Sequence, residues 1–164
     1  MTIRFGILTL SDRSARGERA DVSGPALVQL IQAQGWSVVQ QSVLPDEESA
    51  IRAHLISWAD SGELHVILTT GGTGFSPRDV TPEATRAVIE REAPGLAEAM
   101  RAASLKITPH AMLSRIVTGI RKRVLIINLP GSPKGAVEHL QVILPVLPHA
   151  VQLLQDDPSS EASH

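Results

Sequence analysis

Continuous apolar runs alternate with helically spaced ones along this chain. IRFGILTL, residues 3–10, is apolar almost throughout and reads as a buried strand. GPALVQLIQAQ, residues 24–34, switches to helical spacing with Leu27, Leu30 and Ile31 on one face, and Gly35 is its expected stop. WSVVQQSV, residues 36–43, gives a second strand. Pro45 then opens a helix on which Ile51, Leu55 and Trp58 recur at core-packing intervals.

Residues 64–70 form the third expected strand. Downstream, Thr81-Pro82-Glu83 reads as a helix start, with Thr81 capping, Pro82 at the first helical position and Glu83 at the positive end. Pro94-Gly95 interrupts, and LAEAMRAASLK continues as another helix. Residues 116–120 and 124–129 read as two strands joined by a hairpin at Arg121, Lys122 and Arg123. Helical material fills 134–155, broken near Pro145 and Pro148. The polar end DDPSSEASH has no apolar face and is expected to fray.

Strands alternating with helices predict an α/β fold: a three-layer sandwich with a mostly parallel sheet and helices on both faces. No repeat or linker divides the chain, so residues 1–155 are expected to form a single domain, with 156–164 as a flexible C-terminal tail. At 164 residues, a domain buries about 70% of the surface its unfolded chain exposes. With two Trp, two Phe and no Tyr in a chain that is 43% hydrophobic, the core must be built from Leu, Ile, Val and Ala.

The formal charge of -2, the absence of a long basic run and the scarcity of aromatics argue against a nucleic-acid surface. Zero cysteines exclude disulfides, zinc-thiolate sites and thiol catalysis. The start MTIRFGILTLSDR lacks a signal-peptide core, and no segment is expected to reach the roughly 20 apolar residues of a membrane helix. A cytoplasmic protein without a membrane partner is the expectation. The six histidines show no compact ligand spacing, and His65 lies in a strand-like run.

TTGGTGFSPRDVTPE, residues 69–83, places Gly71, Gly72 and Gly74 directly behind the third strand. Bare backbone lets main-chain N–H groups approach an anion, and a helix starting just beyond adds its positive end. A plain turn would have the same composition. The loop is neither a P-loop, which ends Gly-Lys-Ser/Thr, nor the Gly-x-Gly-x-x-Gly dinucleotide loop. Position matters more than pattern here. Ser11-Asp12-Arg13 follows strand one, Leu44-Pro45-Asp46 follows strand two, the glycine loop follows strand three, and Asn128-Leu129-Pro130-Gly131-Ser132-Pro133 follows the last strand. In a parallel sheet these ends converge where open α/β sheets bind ligands.

Such a pocket would combine phosphate donors with the carboxylates Asp12, Asp46 and Asp79. Taken singly, each carboxylate also suits a turn, a helix start or an ion pair with Arg78. Together with phosphates they call for magnesium, which is commonly held by one or two carboxylates plus substrate oxygens. Phosphoryl or nucleotidyl transfer is the matching chemistry.

The motifs ILTLSDR, LPDE, VILTTGGTGFSPRDVTPEAT, EAPGLAEAMR, LSR at 113–115 and NLPGSPKG resemble the molybdopterin adenylyltransferase family, the MogA/MoaB proteins and the gephyrin G domain. The resemblance implies a homotrimer, or a hexamer as in some short relatives, acting in molybdenum cofactor synthesis. It implies that the terminal phosphate of molybdopterin attacks the α-phosphate of ATP with magnesium present, giving adenylyl-molybdopterin and pyrophosphate, and that a molybdenum insertase acts downstream. By motif, Asp46 and Asp79 are the acidic positions for catalysis and magnesium. Ser11, Asp12, Gly71, Gly72, Thr73 and Gly74 would hold phosphate or nucleotide. Asn128, Pro130, Gly131 and Ser132 fall on the molybdopterin side, with Arg78 and Lys134 as anion partners. A non-catalytic molybdopterin-binding or delivery protein of the MoaB type is the alternative.

Overall fold

A computed structural model describes residues 1–157. The expected fraying of the tail falls on residues outside that range, apart from Asp156 and Asp157. The strands are β1 (Arg4–Leu10), β2 (Ser37–Leu44), β3 (Val66–Thr70), β4 (Arg91–Glu92), β5 (Thr118–Arg121) and β6 (Val124–Leu129). The helices are α1 (Asp12–Ala15), α2 (Ser23–Ala33), α3 (Glu48–Asp60), α4 (Thr81–Val88), α5 (Pro94–Leu105), α6 (Pro133–Ile143) and α7 (Leu147–Leu154).

The strands form one sheet in the order β2-β1-β3-β6-β5-β4. The β1–β2, β1–β3 and β3–β6 pairings are parallel, and β5 and β4 add antiparallel strands at one side. The expected mostly parallel sheet is therefore present. Two-residue β4 has too little pattern to announce itself in sequence. It exists because β5 offers a free edge.

Helices cover both faces. On one, Phe5, Ile7, Val66, Leu68, Leu125 and Ile127 pack with Leu27, Ile31, Met100, Leu140 and Val151 from α2, α5, α6 and α7. On the other, Leu8, Leu10, Ile67 and Ile126 meet Ile51, Leu55 and Trp58 of α3 and Ala84 and Val88 of α4. Strand alternation sends successive side chains to opposite faces, which explains the nearly continuous apolar runs. At Gly6, a Cβ would lie 2.8 Å from Leu64 and 2.9 Å from the Trp58 ring, so the residue admits the indole onto the sheet.

Several local expectations hold. Gly35 ends α2 with φ +80°. The β5–β6 hairpin turns at Lys122, whose φ is +52°, while Arg121 pairs with Asp60 at 3.0 Å. His65 is buried, and its Nδ1 accepts the Arg4 N–H at 3.0 Å.

Three expectations are corrected. Thr81 does not cap α4: it is the first helical residue, and its hydroxyl donates to the Gly71 carbonyl at 2.9 Å. The third helix begins at Glu48 rather than Pro45, because Asp46 is engaged elsewhere. The 22-residue run Pro133–Leu154 contains an 18-residue window of mean hydropathy 1.2, enough by length and composition alone to cross a membrane, contrary to the expectation from sequence. Its Ala136, Leu140, Ile143, Leu147 and Val151 pack on the sheet, however, and a 3-10 turn over Leu144–Val146 interrupts it.

Candidate functional site

β1 leads to β2 on one side, whereas β3 leads to the strands on the other, so the loops leaving β1 and β3 separate at the carboxyl edge of the sheet. A crevice opens at such a switch point. Here it is a cavity of about 350 Å³ lined by Thr9, Leu10, Ser11, Ser14, Arg19, Ala20, Asp21, Val22, Ser23, Asp46, Thr70, Gly71, Gly72, Asp79, Gly131, Ser132 and Pro133. All four loops singled out from sequence contribute to it.

The glycine turn forms its floor. Gly71 has φ +106°, and a Cβ there would collide with the Leu10 carbonyl oxygen. Gly72 has φ +68°; its Cβ would meet the Thr81 hydroxyl and lie 3.0 Å from Asp46 Oδ1. Both positions thus require glycine twice over, by backbone conformation and by space. The Gly71 N–H donates to Leu129 O at 3.1 Å, while Gly72 O accepts from the Thr81 N–H at 3.1 Å.

Arg115 holds the rest of this loop. Its backbone N–H donates to Thr73 O at 2.9 Å, its Nε to Gly74 O at 2.8 Å and its Nη2 to Asp79 O at 2.7 Å. Its Nη1 meets Glu83 Oε2 at 2.8 Å, and the guanidinium holds that carboxyl below the ordinary carboxylate value. Asp79 closes the loop through a turn in which its Oδ2 accepts from the Ser76 N–H at 3.0 Å.

Asp46 stands opposite. Its Oδ2 accepts from the Asp12 N–H at 3.1 Å, and its own N–H donates to Asp12 Oδ1 at 2.9 Å. Its Oδ1 is buried and has no hydrogen-bond partner. Burial pushes the Asp46 carboxyl up, opposed by the Asp12 amide; the charges of Asp12 and Asp79 push it further up. An unpartnered buried carboxylate oxygen beside a bare glycine backbone fits a hard cation. No cluster of three or more His, Asp or Glu side chains suited to a metal exists among the described residues. A magnesium ion held by Asp46 and Asp79 would therefore take its other ligands from water and phosphate, which is its usual practice.

The remaining expected residues divide. Ser11 lines the cavity and caps α1 through the Ser14 N–H at 3.1 Å. Asp12 is spent on internal bonds: Arg78 grips it at 2.9 and 3.0 Å, which holds its carboxyl below the ordinary value. Neither Asp12 nor Arg78 is among the residues lining the 350 Å³ cavity. Gly131 lines the main cavity, but Thr73, Gly74, Pro130 and Lys134 line a neighbouring one of about 450 Å³, completed by Ile107, Thr108, His110, Leu113 and His139 among others. Ser132 lies on both and caps α6 through the Gly135 N–H at 3.1 Å. Lys134 pairs loosely with Glu138 at 3.9 Å.

Asn128 is the clearest departure from expectation. It is fully buried; its Oδ1 accepts from the Val117 N–H at 3.0 Å, and its Nδ2 donates to the Thr69 and Thr85 hydroxyls at 3.0 and 2.9 Å. It braces the loop from beneath rather than touching a ligand.

Sequence reasoning missed the segment before α2. Asp21 Oδ2 accepts from the Thr9 hydroxyl at 2.9 Å and Oδ1 from the Gly24 N–H at 3.0 Å, while the Ser23 hydroxyl donates to Gly131 O at 2.6 Å. An Asp three residues ahead of a helical Gly was the available signal.

Residues 6–149 match the model of a family described as a probable molybdopterin binding domain. The chain belongs to that family. Among its relatives, a molybdopterin adenylyltransferase of Helicobacter pylori is 41% identical over 93% of this chain and 88% of its own length. The molybdenum cofactor synthesis protein cinnamon of Drosophila melanogaster is 49% identical over 96% of this chain, which spans only 26% of that longer protein. The crystal structure of the molybdopterin biosynthesis enzyme MoaB from Thermus thermophilus superposes with a TM-score of 0.90 at 52% identity, covering 96% of this chain and 99% of that one. Family membership accounts for the shared α/β framework.

The brace at Asn128 has a measurable consequence. Asn128→Ala should lower stability by about 3 kcal/mol, since it strands a buried N–H and two hydroxyls. Urea denaturation is the check, and an unchanged midpoint would show the brace to be dispensable.

Proposed function

We propose that this chain is a molybdopterin adenylyltransferase, transferring AMP from ATP to the terminal phosphate of molybdopterin with release of pyrophosphate. The observation that carries the reading is the buried, unpartnered Oδ1 of Asp46 beside the glycine turn, in a cavity that Asp79 also lines. Phosphates entering here would meet the carboxylates Asp21, Asp46 and Asp79, with Arg19 as the one basic residue among the described lining. Like charges can share such a space only if a cation joins them. Bound magnesium would supply that charge neutralisation for the attacking and leaving phosphates.

The chain's own groups do the rest. Gly72 gives phosphate oxygens close access to main chain, and α2 and α6 turn their positive ends toward the cavity through Ser23 and Pro133. Arg115 fixes the loop that carries Asp79, so the acceptor phosphate and ATP meet preformed geometry. The neighbouring cavity, reached past Ser132 and partly apolar through Ile107 and Leu113, suits a flat heterocycle extending from the phosphates. We assign the pterin to it because Pro130 and Ser132 lie there.

The same reading extends to assembly and setting. Leu105 and Met112 are exposed at the end of α5 and on the following 3-10 turn, and they would be covered in a homotrimer. A hexamer would build on the same unit. A molybdenum insertase would receive the product in the cytoplasm. Residues 1–155 would act as one domain in each copy.

Asp79→Asn should cut production of adenylyl-molybdopterin and pyrophosphate from molybdopterin and Mg-ATP by about a hundredfold, by analogy with other lost electrostatic contacts. Near-normal turnover would remove Asp79 from the reaction. If the wild-type chain binds molybdopterin yet forms neither product, a delivery protein is the correct description. Sedimentation velocity should find three copies or six, and a monomer would overturn the assembly.

A further inference from the structure

Asp12 and Arg78 stand outside the lining of the main cavity and of its neighbour. Asp12 instead exchanges two bonds with Asp46, backbone to carboxylate in each direction, at 2.9 and 3.1 Å. This reciprocal pair joins the loop after β1 to the loop after β2. It also leaves only one Asp46 oxygen unengaged, the buried Oδ1 that faces Gly72. Arg78, carried on the glycine loop, then forks onto the outer side of Asp12 with Nε and Nη2. Three loops thus converge on a single carboxylate.

We propose that Asp12 and Arg78 are positioning residues for Asp46, holding its free oxygen toward the cavity and tying that orientation to the glycine loop. The proposal rests on the reading of Asp46 as a cation-holding group. Asp12 alone would add negative charge beside Asp46; the guanidinium both offsets that charge and restricts Asp12 to one rotamer. A bidentate guanidinium–carboxylate pair gives this directional restraint, which a single ammonium contact does not. Because Arg78 sits on the same loop as Asp79, the fork also ties the loop of Asp46 to the loop that carries Asp79.

Positioning and simple electrostatics make opposite demands on Arg78. If the guanidinium acts only as a charge, removing it leaves a more negative site and tighter divalent-cation binding. If it positions Asp46, removal loosens the site and weakens binding. Mn2+ affinity would be measured by titration calorimetry on the intact wild-type chain and on Arg78→Ala, Arg78→Lys and Asp46→Asn. Arg52→Ala, which removes an exposed cation paired to Glu48 on α3, controls for net charge. The expected result is about fivefold weaker binding in Arg78→Ala, a smaller loss in Arg78→Lys and none in Arg52→Ala, since an exposed fork contributes modestly. Unchanged or tighter binding in Arg78→Ala would overturn the proposal.

A second readout needs no metal. Residue-resolved hydrogen exchange should show the Asp12 and Asp46 amides, both bonded across the two loops, exchanging about fivefold faster in Arg78→Ala, with the β3 amide of Leu68 unchanged. Equal exchange at both loop amides would refute positioning outright. Should the wild-type chain bind no Mn2+, the cation reading of Asp46 fails, and the exchange data still decide whether Arg78 restrains the pair.

Discussion

Everything at the carboxyl edge of the sheet depends on how closely β3 can leave the sheet beside β1. Gly71 passes so near the Leu10 carbonyl that no Cβ fits, and Gly72 then tucks between Thr81 and Asp46. That approach lets the Thr81 hydroxyl and amide tie the first turn of α4 back onto Gly71 and Gly72. It also brings the loop bearing Asp79 and Arg78 over the loops of Asp12 and Asp46. Larger residues would push β3's exit away from β1 and separate the groups that face one another across the cavity.

The arrangement divides the polar and charged residues by task. Half-buried Arg115 gathers the carbonyls of Thr73, Gly74 and Asp79, and fully buried Asn128 joins β6 to β3, to α4 and to the Val117 backbone. Asp12 and Arg78 work sideways, between loops. Asp46 keeps one oxygen that nothing among the described residues satisfies. A buried acceptor without a donor is costly in a folded protein, and such groups persist where a ligand completes them.

Much of this was legible in the sequence because β-strand apolar runs and helical spacing differ in period. Ile51, Leu55 and Trp58 were assigned to the core by spacing alone, and all three are buried. Convergence of the four loops followed from parallel strands. What sequence could not convey was direction. Asn128 sits in the loop motif, yet strand alternation points it into the protein, where Thr69 and Thr85 occupy its amide. Asp12 looked like a ligand residue because nothing local reveals that Asp46, thirty-four positions away, and Arg78 consume it. Asp21 and Ser23 escaped notice because α2 was begun at Gly24, one residue late, which left them in an unassigned loop.

The central claim is that phosphate and cation meet between the glycine turn and the free oxygen of Asp46. Crystals soaked with Mn2+ and an ATP analogue bearing a methylene between the α and β phosphorus atoms, measured at the manganese absorption edge, test it most directly. The expected result is an anomalous peak bound to Asp46 Oδ1, with phosphate oxygens against the backbone of Gly72. Manganese away from Asp46, or a triphosphate seated wholly in the neighbouring cavity, would contradict the account.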